Sequence, residues 1–248
     1  MTYRKLAGGI LAASVAWLVV LAPAEPAIAQ DGGGLIQVAE VQVKMDRVGE
    51  FIDLQQQMAE AARAEGRSGT SVWQAAHGRM NMFHIVSGRD NFAAYDEGMD
   101  PPMSGEEWAR WVGRILQTIE SRTVMTLRLY PDLVIPRGED QERNLARLRI
   151  TTVKPGMNDE YEEWIRDKLM PALREGGQTG VSWQKVVTGG NPSTWFGVTE
   201  YSSFAQMDPP GPLDYMNERR RASMLDEAWS MTSGAKILVM RYRADLSY

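Results

Sequence analysis

The 248 residues contain two histidines, His77 and His84, and both fall in one short stretch. The stretch runs from Ser71 to His77, through Gly78-Arg79-Met80-Asn81, and on from Met82 to Ser87. By composition this is two strands joined by a hairpin turn. A turn centred between Met80 and Asn81 sets the imidazoles opposite each other, with Cβ atoms ~5 Å apart, close enough to share a proton or a metal ion. No Asp or Glu stands at ligand spacing beside them, so no metal centre is expected. His84 and His77 are therefore the candidate catalytic bases. The alternative is a pair of structural histidines held by hydrogen bonds. It gains weight from the apolar Val187 and Phe196 at the matching positions of the second half.

Arginine offers a second chemistry. Met125, Leu127 and Leu129 share one face of a strand and Thr126, Arg128 and Tyr130 the other, while Leu238, Met240 and Tyr242 oppose Val239, Arg241 and Arg243. Arg128 and Arg241 are equivalent, and both are expected to point away from their own helices. On an earlier strand Glu40 and Gln42 oppose Val41 and Val43, which places Glu40 to face Arg128. Such a set reads either as a buried ion pair or as an anion-recognising pocket, and a buried Arg needs a partner in both cases. Gln74 and Gln184 are candidates for the same cavity, with Trp73 and Trp183 as aromatic walls. Indoles at this spacing serve a core equally well. The chain has no Cys, which excludes thiol catalysis, zinc–thiolate sites and iron–sulfur clusters. No Ser-His-Asp arrangement, phosphate loop or dinucleotide fingerprint is present.

The elements that must position these groups come in two copies. Sliding the sequence along itself by about 110 residues brings the halves into register. Val43-Lys44 falls on Val153-Lys154, Phe51 on Tyr161, Trp73-Gln74 on Trp183-Gln184 and Phe92 on Phe204. Met99-Asp100-Pro101-Pro102 recurs as Met207-Asp208-Pro209-Pro210, and Leu127-Arg128-Leu129 as Met240-Arg241-Tyr242. In each half an alternating strand is followed by a helix, then two strands, a second helix and a last strand. Residues 37–44 alternate as a strand; residues 50–65 place Phe51, Leu54, Met58 and Ala62 on one helical face, and Gly66 stops that helix. The second helix opens at Ser104 with Glu107 three residues on, a capping box, and carries the stripe Trp108, Trp111, Ile115 and Ile119. Asp214 is the expected cap of its counterpart. The order is β-α-β-β-α-β, the ferredoxin-like unit.

These readings divide the chain into residues 36–133, a polar linker at 134–145 and residues 146–248. A sheet covered on one face by its own helices leaves the other face bare, and two tethered copies can bury both by closing into a barrel. The expected fold class is therefore α+β: two tandem ferredoxin-like modules packed sheet to sheet, as a monomeric pseudo-dimer or a low-order homo-oligomer.

The segment Val153-Lys154-Pro155-Gly156 with Glu160-Tyr161, the Trp183-Gln184 strand and the Phe204 turn resemble modules of the dimeric α+β barrel superfamily, which includes the NIPSNAP and antibiotic-biosynthesis-monooxygenase families. The resemblance covers both halves and implies a barrel with helices outside. Chlorite dismutases and dye-decolorising peroxidases are similar in architecture but take their axial His from the C-terminal module. Residues 85–248 here contain no His, so haem is not expected and the chain is read as needing no cofactor.

Arg4 and Lys5, an apolar run from about Leu6 to Leu21 and then Ala27-Ile28-Ala29 form an expected signal peptide over residues 1–29. The apolar run is shorter than the ~20 residues that span a bilayer. Without Arg4, Lys5 and Glu25, the 27 basic and 32 acidic side chains become 25 and 31, a formal net charge of −6 on 219 residues. That balance gives no footprint for nucleic acid. The expectation is an exported protein, periplasmic or secreted, that binds a small molecule. The alternatives are a cofactor-independent monooxygenase-like enzyme and an interaction module without a ligand.

Overall fold

The computed structural model describes residues 34–96 and 100–248. The expected signal peptide and Met99 of the repeated tetrapeptide lie outside the described residues. Eight strands alternate with helices in the order β1 Leu35–Val43, α1 Val48–Ala64, β2 Thr70–Ala75, β3 Met82–Arg89, α2 Gly105–Thr118 and β4 Ile119–Ile135. The second half repeats this as β5 Leu145–Val153, α3 Asn158–Trp164, α4 Met170–Glu175, β6 Val181–Thr188, β7 Thr194–Tyr201, α5 Glu218–Met231 and β8 Thr232–Tyr242. A π-helical turn, Ile165–Leu169, joins α3 to α4. β4 reaches past residue 133 and β5 starts at residue 145, so the connection between halves is shorter than the linker expected from composition.

Local chemistry explains the helix boundaries. α1 buries Phe51, Leu54, Met58 and Ala62 on one face and ends before Gly66, whose φ of +72° suits a residue without Cβ. Ser104 and Glu107 form the reciprocal capping box at α2. The cap of α5 is Asn217, whose side chain accepts from the Arg220 amide at 2.8 Å. Asp214 instead accepts from the Gly211 amide at 2.6 Å and pairs with Arg221, so it fastens the loop ahead of the helix.

The strands close a barrel in the order β1-β3-β2-β8-β5-β7-β6-β4, every neighbouring pair antiparallel. Within each half the order is that of a ferredoxin-like sheet. The halves join edge to edge, β2 with β8 and β4 with β6, so neither sheet keeps an open edge. Past β8, the amides of Thr70 and Tyr248 each donate to the other's carbonyl. Leu246 is fully buried in the core beneath α1 and α2, and Arg63 of α1 donates to the carbonyls of Ala244 and Ser247. The end of the second half thus completes the core of the first.

Three apolar cores result. One lies between each half-sheet and its helices, and the third fills the barrel interior. Among the described residues no helix is long and apolar enough to cross a membrane.

Candidate functional site

Strand alternation sends every second side chain into the barrel. β1 contributes Ile36 and Val38, β4 contributes Leu127 and Leu129, β5 contributes Ala146 and Leu148. Between them lies a cavity of about 100 Å³, mostly apolar, reached by a few polar groups: His84, Gln184, Ser71, Ser182, Arg143 and Glu200. A second space of about 280 Å³ shares Ile36, Ser71, Val86 and Arg143 with it and extends past Gly69, Arg89 and Asp90. We term the larger space the vestibule and the smaller the chamber; Arg143 lines both.

His84 is 2% exposed, and its Nε2 stands 3.2 Å from Glu40 Oε2. The two residues are cross-strand partners in β1 and β3. Glu40 is a third exposed, so the pair runs from the chamber wall toward solvent. The hydrogen bond from His84 holds the Glu40 carboxyl below its ordinary value against the opposing effect of burial, and the charges of His84, Lys236 and Arg79 help. A carboxylate in this place fixes the orientation of the imidazole. The consequence for stability has a definite sign. The unfolded carboxyl protonates near 4.5 and the folded one lower, so below pH 4.5 the unfolded chain binds the extra proton and stability falls with pH. Above that value the contribution is complete. Glu40→Gln is expected to flatten the acid limb of a denaturation midpoint plotted against pH below about 4.5. Superimposable acid limbs for parent and variant would remove this role from the pair.

Arg143 Nε lies 3.1 Å from Glu200 Oε1, with both side chains more than four-fifths buried. The N–H is misaligned, so Nε is a buried donor without a hydrogen bond. The guanidinium also stands 6.0 Å from the centre of the Tyr242 ring.

The structure brings together some of the residues singled out in the sequence and separates others. His84, Trp73 and Gln184 line the chamber. His77 does not pair with His84: the register sets Trp73 opposite His84, and His77 is exposed past the end of β2, edge-on to Phe204 at 5.3 Å. Arg128 and Arg241 lie on the outer face, both exposed, with Arg241 over the Phe204 ring. Glu40 pairs with Thr123 across β4, whereas Arg128 pairs with Leu35, so Glu40 meets His84 instead. The Met125, Leu127 and Leu129 face of β4 turns into the apolar interior of the barrel, which leaves Arg128 on the outer face with access to water. Gln74 faces outward, bonding the Met80 carbonyl and accepting from Arg243. Trp183 packs under α3 against Tyr161, its ring so close over Gly197 that a Cβ there would come within 2.7 Å.

Arg143 and Glu200 were not legible as site residues. Arg143 falls in the segment read as linker, and its one sequence signal is its place two residues before the alternating run that begins at Leu145.

No known family profile and no curated protein sequence matches the chain. Solved structures do. A provisionally assigned monooxygenase from Fusobacterium nucleatum is 16% identical with a TM-score of 0.60, over 85% of this chain and 93% of that chain. An anthrone oxidase-like protein is 13% identical with a TM-score of 0.57, over 87% and 94%. A provisionally assigned monooxygenase from Lactobacillus acidophilus NCFM is 13% identical with a TM-score of 0.56, over 85% and 94%. The fold is a dimeric α+β barrel. In this barrel both halves of the dimer lie in one chain. At such identities the likeness establishes the fold alone, and it does not single out the NIPSNAP family.

Proposed function

We propose that this barrel is an exported protein that binds a small, mostly apolar molecule in its inner chamber, entering by the vestibule. The observation that carries the reading is a chamber with apolar walls and few convergent polar groups, His84 and Gln184 among them, which shares Ile36, Ser71, Val86 and Arg143 with a larger neighbouring space. Its volume suits a body of about one aromatic ring. A second reading is supported by the His84–Glu40 pair. With Nε2 engaged by Glu40, the imidazole is oriented to take a proton from an acidic O–H or C–H of the guest, as a cofactor-independent oxygenase requires before dioxygen attacks the anion. That barrels of this shape include proteins described as monooxygenases or anthrone oxidase-like supports keeping this reading beside the first.

Screening one-ring compounds by thermal shift tests both. A true ligand at a hundred times its Kd stabilises the fold by about 2.7 kcal/mol. Ala146→Phe, which fills the chamber, is expected to abolish that shift, and undiminished binding in this variant would overturn the lumen as the site. His84→Phe places in the first half the residue that the second half carries at the equivalent position. It is expected to leave binding within a few-fold of the parent and to abolish any oxygen consumption.

A further inference from the structure

We infer that the guest carries an anionic oxygen, a carboxylate or an acidic phenolate, and that Arg143 receives it. The inference rests on the lumen-binding reading and adds the chemical class of the ligand. Among the described residues, Arg143 is the one Arg or Lys that lines the chamber, and it lines the vestibule as well. A molecule that enters by the vestibule meets the residues common to both spaces, Arg143 among them. Arg128 and Arg241 cannot serve, because both lie exposed on the outer face.

The guanidinium is incompletely satisfied. Its Nε–H is buried and unbonded although a carboxylate stands 3.1 Å away. A buried donor in that state is costly, and a second oxygen in line with it removes the cost. An Arg fork is suited to a carboxylate, which it can grip with two parallel bonds. Glu200 has somewhere else to go: it also lines an outer groove with Gln141 and Thr179, open to water. The incoming anion therefore replaces Glu200 at Arg143 and does not add a second negative charge to the same cation. The apolar body then extends along Leu127, Leu148 and Phe196 toward His84.

The test compares benzoate, benzyl alcohol and benzylammonium, one ring each with different charge, by calorimetry on the full chain at neutral pH and low salt. Benzoate is expected to bind roughly tenfold or more tighter than benzyl alcohol, and benzylammonium weakest. Glu200→Gln, which removes the competing carboxylate, is expected to tighten benzoate about tenfold. Arg143→Gln is expected to erase the preference for benzoate while benzyl alcohol still binds. Equal or tighter binding of the alcohol, a preference that survives Arg143→Gln, or weaker benzoate binding in Glu200→Gln would each overturn the inference and leave lumen binding standing. If Arg143→Gln fails to fold, the ligand series and Glu200→Gln decide. Binding of none of the three overturns the lumen-binding reading along with this one.

Discussion

Expressed alone, residues 34–136 are expected to give no folded monomer. Cutting there exposes the inward faces of β1 to β4, including Ile36, Val38, Trp73, Met82, Leu127 and Leu129, all of them buried in the intact barrel. At about 2 kcal/mol for each large apolar side chain returned to water, six of them amount to about 12 kcal/mol. A domain's whole stability is typically about 5–15 kcal/mol. The cut also strips β2 of its partner β8 and β4 of its partner β6, leaving two bare edges. It further removes Leu246 from beneath α1 and deprives Arg63 of the carbonyls it bonds. Size-exclusion chromatography with circular dichroism checks this: an unfolded or self-associated fragment is the expected outcome. A monomeric fragment with a cooperative melt, unaffected by adding residues 137–248, would contradict the shared interior.

Trp195→Ala is expected to lose about 3–5 kcal/mol of stability, the cost of emptying a large aromatic site in a core. Trp195 is fully buried. Its ring stacks on Tyr130 at 5.5 Å and meets Tyr161 edge-on at 5.9 Å, its Nε1 donates to Asn158 Oδ1, and Lys185 Nζ lies 5.5 Å from its centre. Burial, with Glu162 nearby, pushes the Tyr130 hydroxyl up to about 12, and the partly buried Tyr130 ring packs against this core. Trp229 on α5 supplies the contrast. At 57% exposed, its replacement by Ala is expected to change stability by no more than about 0.5 kcal/mol. Urea denaturation of the two variants measures the difference, and equal losses would mean the aromatic cluster is not the keystone of the second half's core.

The duplication, the order of elements, the buried face of α1 and the capping box of α2 were all legible, because each leaves a local pattern: a repeat, a period of 3.6, a Ser with Glu three residues on. Which face of a strand turns inward left no such pattern. Every strand here packs apolar side chains on at least part of both faces, so alternation reveals two faces without saying which meets the helices. That is why Arg128 and Gln74 were expected inside and lie outside. The alignment carried a related trap. Trp73-Gln74 and Trp183-Gln184 match as letters, yet Trp73 sits opposite His84 and Gln184 opposite Phe196. The true equivalence is Trp73 with Gln184, and a slip of one residue exchanges the faces. His84 was found because imidazoles are rare in this chain. Its partner was missed because register is a property of paired strands, and no single strand contains it.

The same equivalence has a consequence for any molecule inside. A cavity on an exact dyad offers each guest two identical orientations. Here His84 stands where the other half has Phe196, Trp73 where it has Gln184, and Glu40 where it has Ile150. Divergence of the two halves has removed the degeneracy, leaving a chamber with distinct poles in which an asymmetric guest has one preferred orientation.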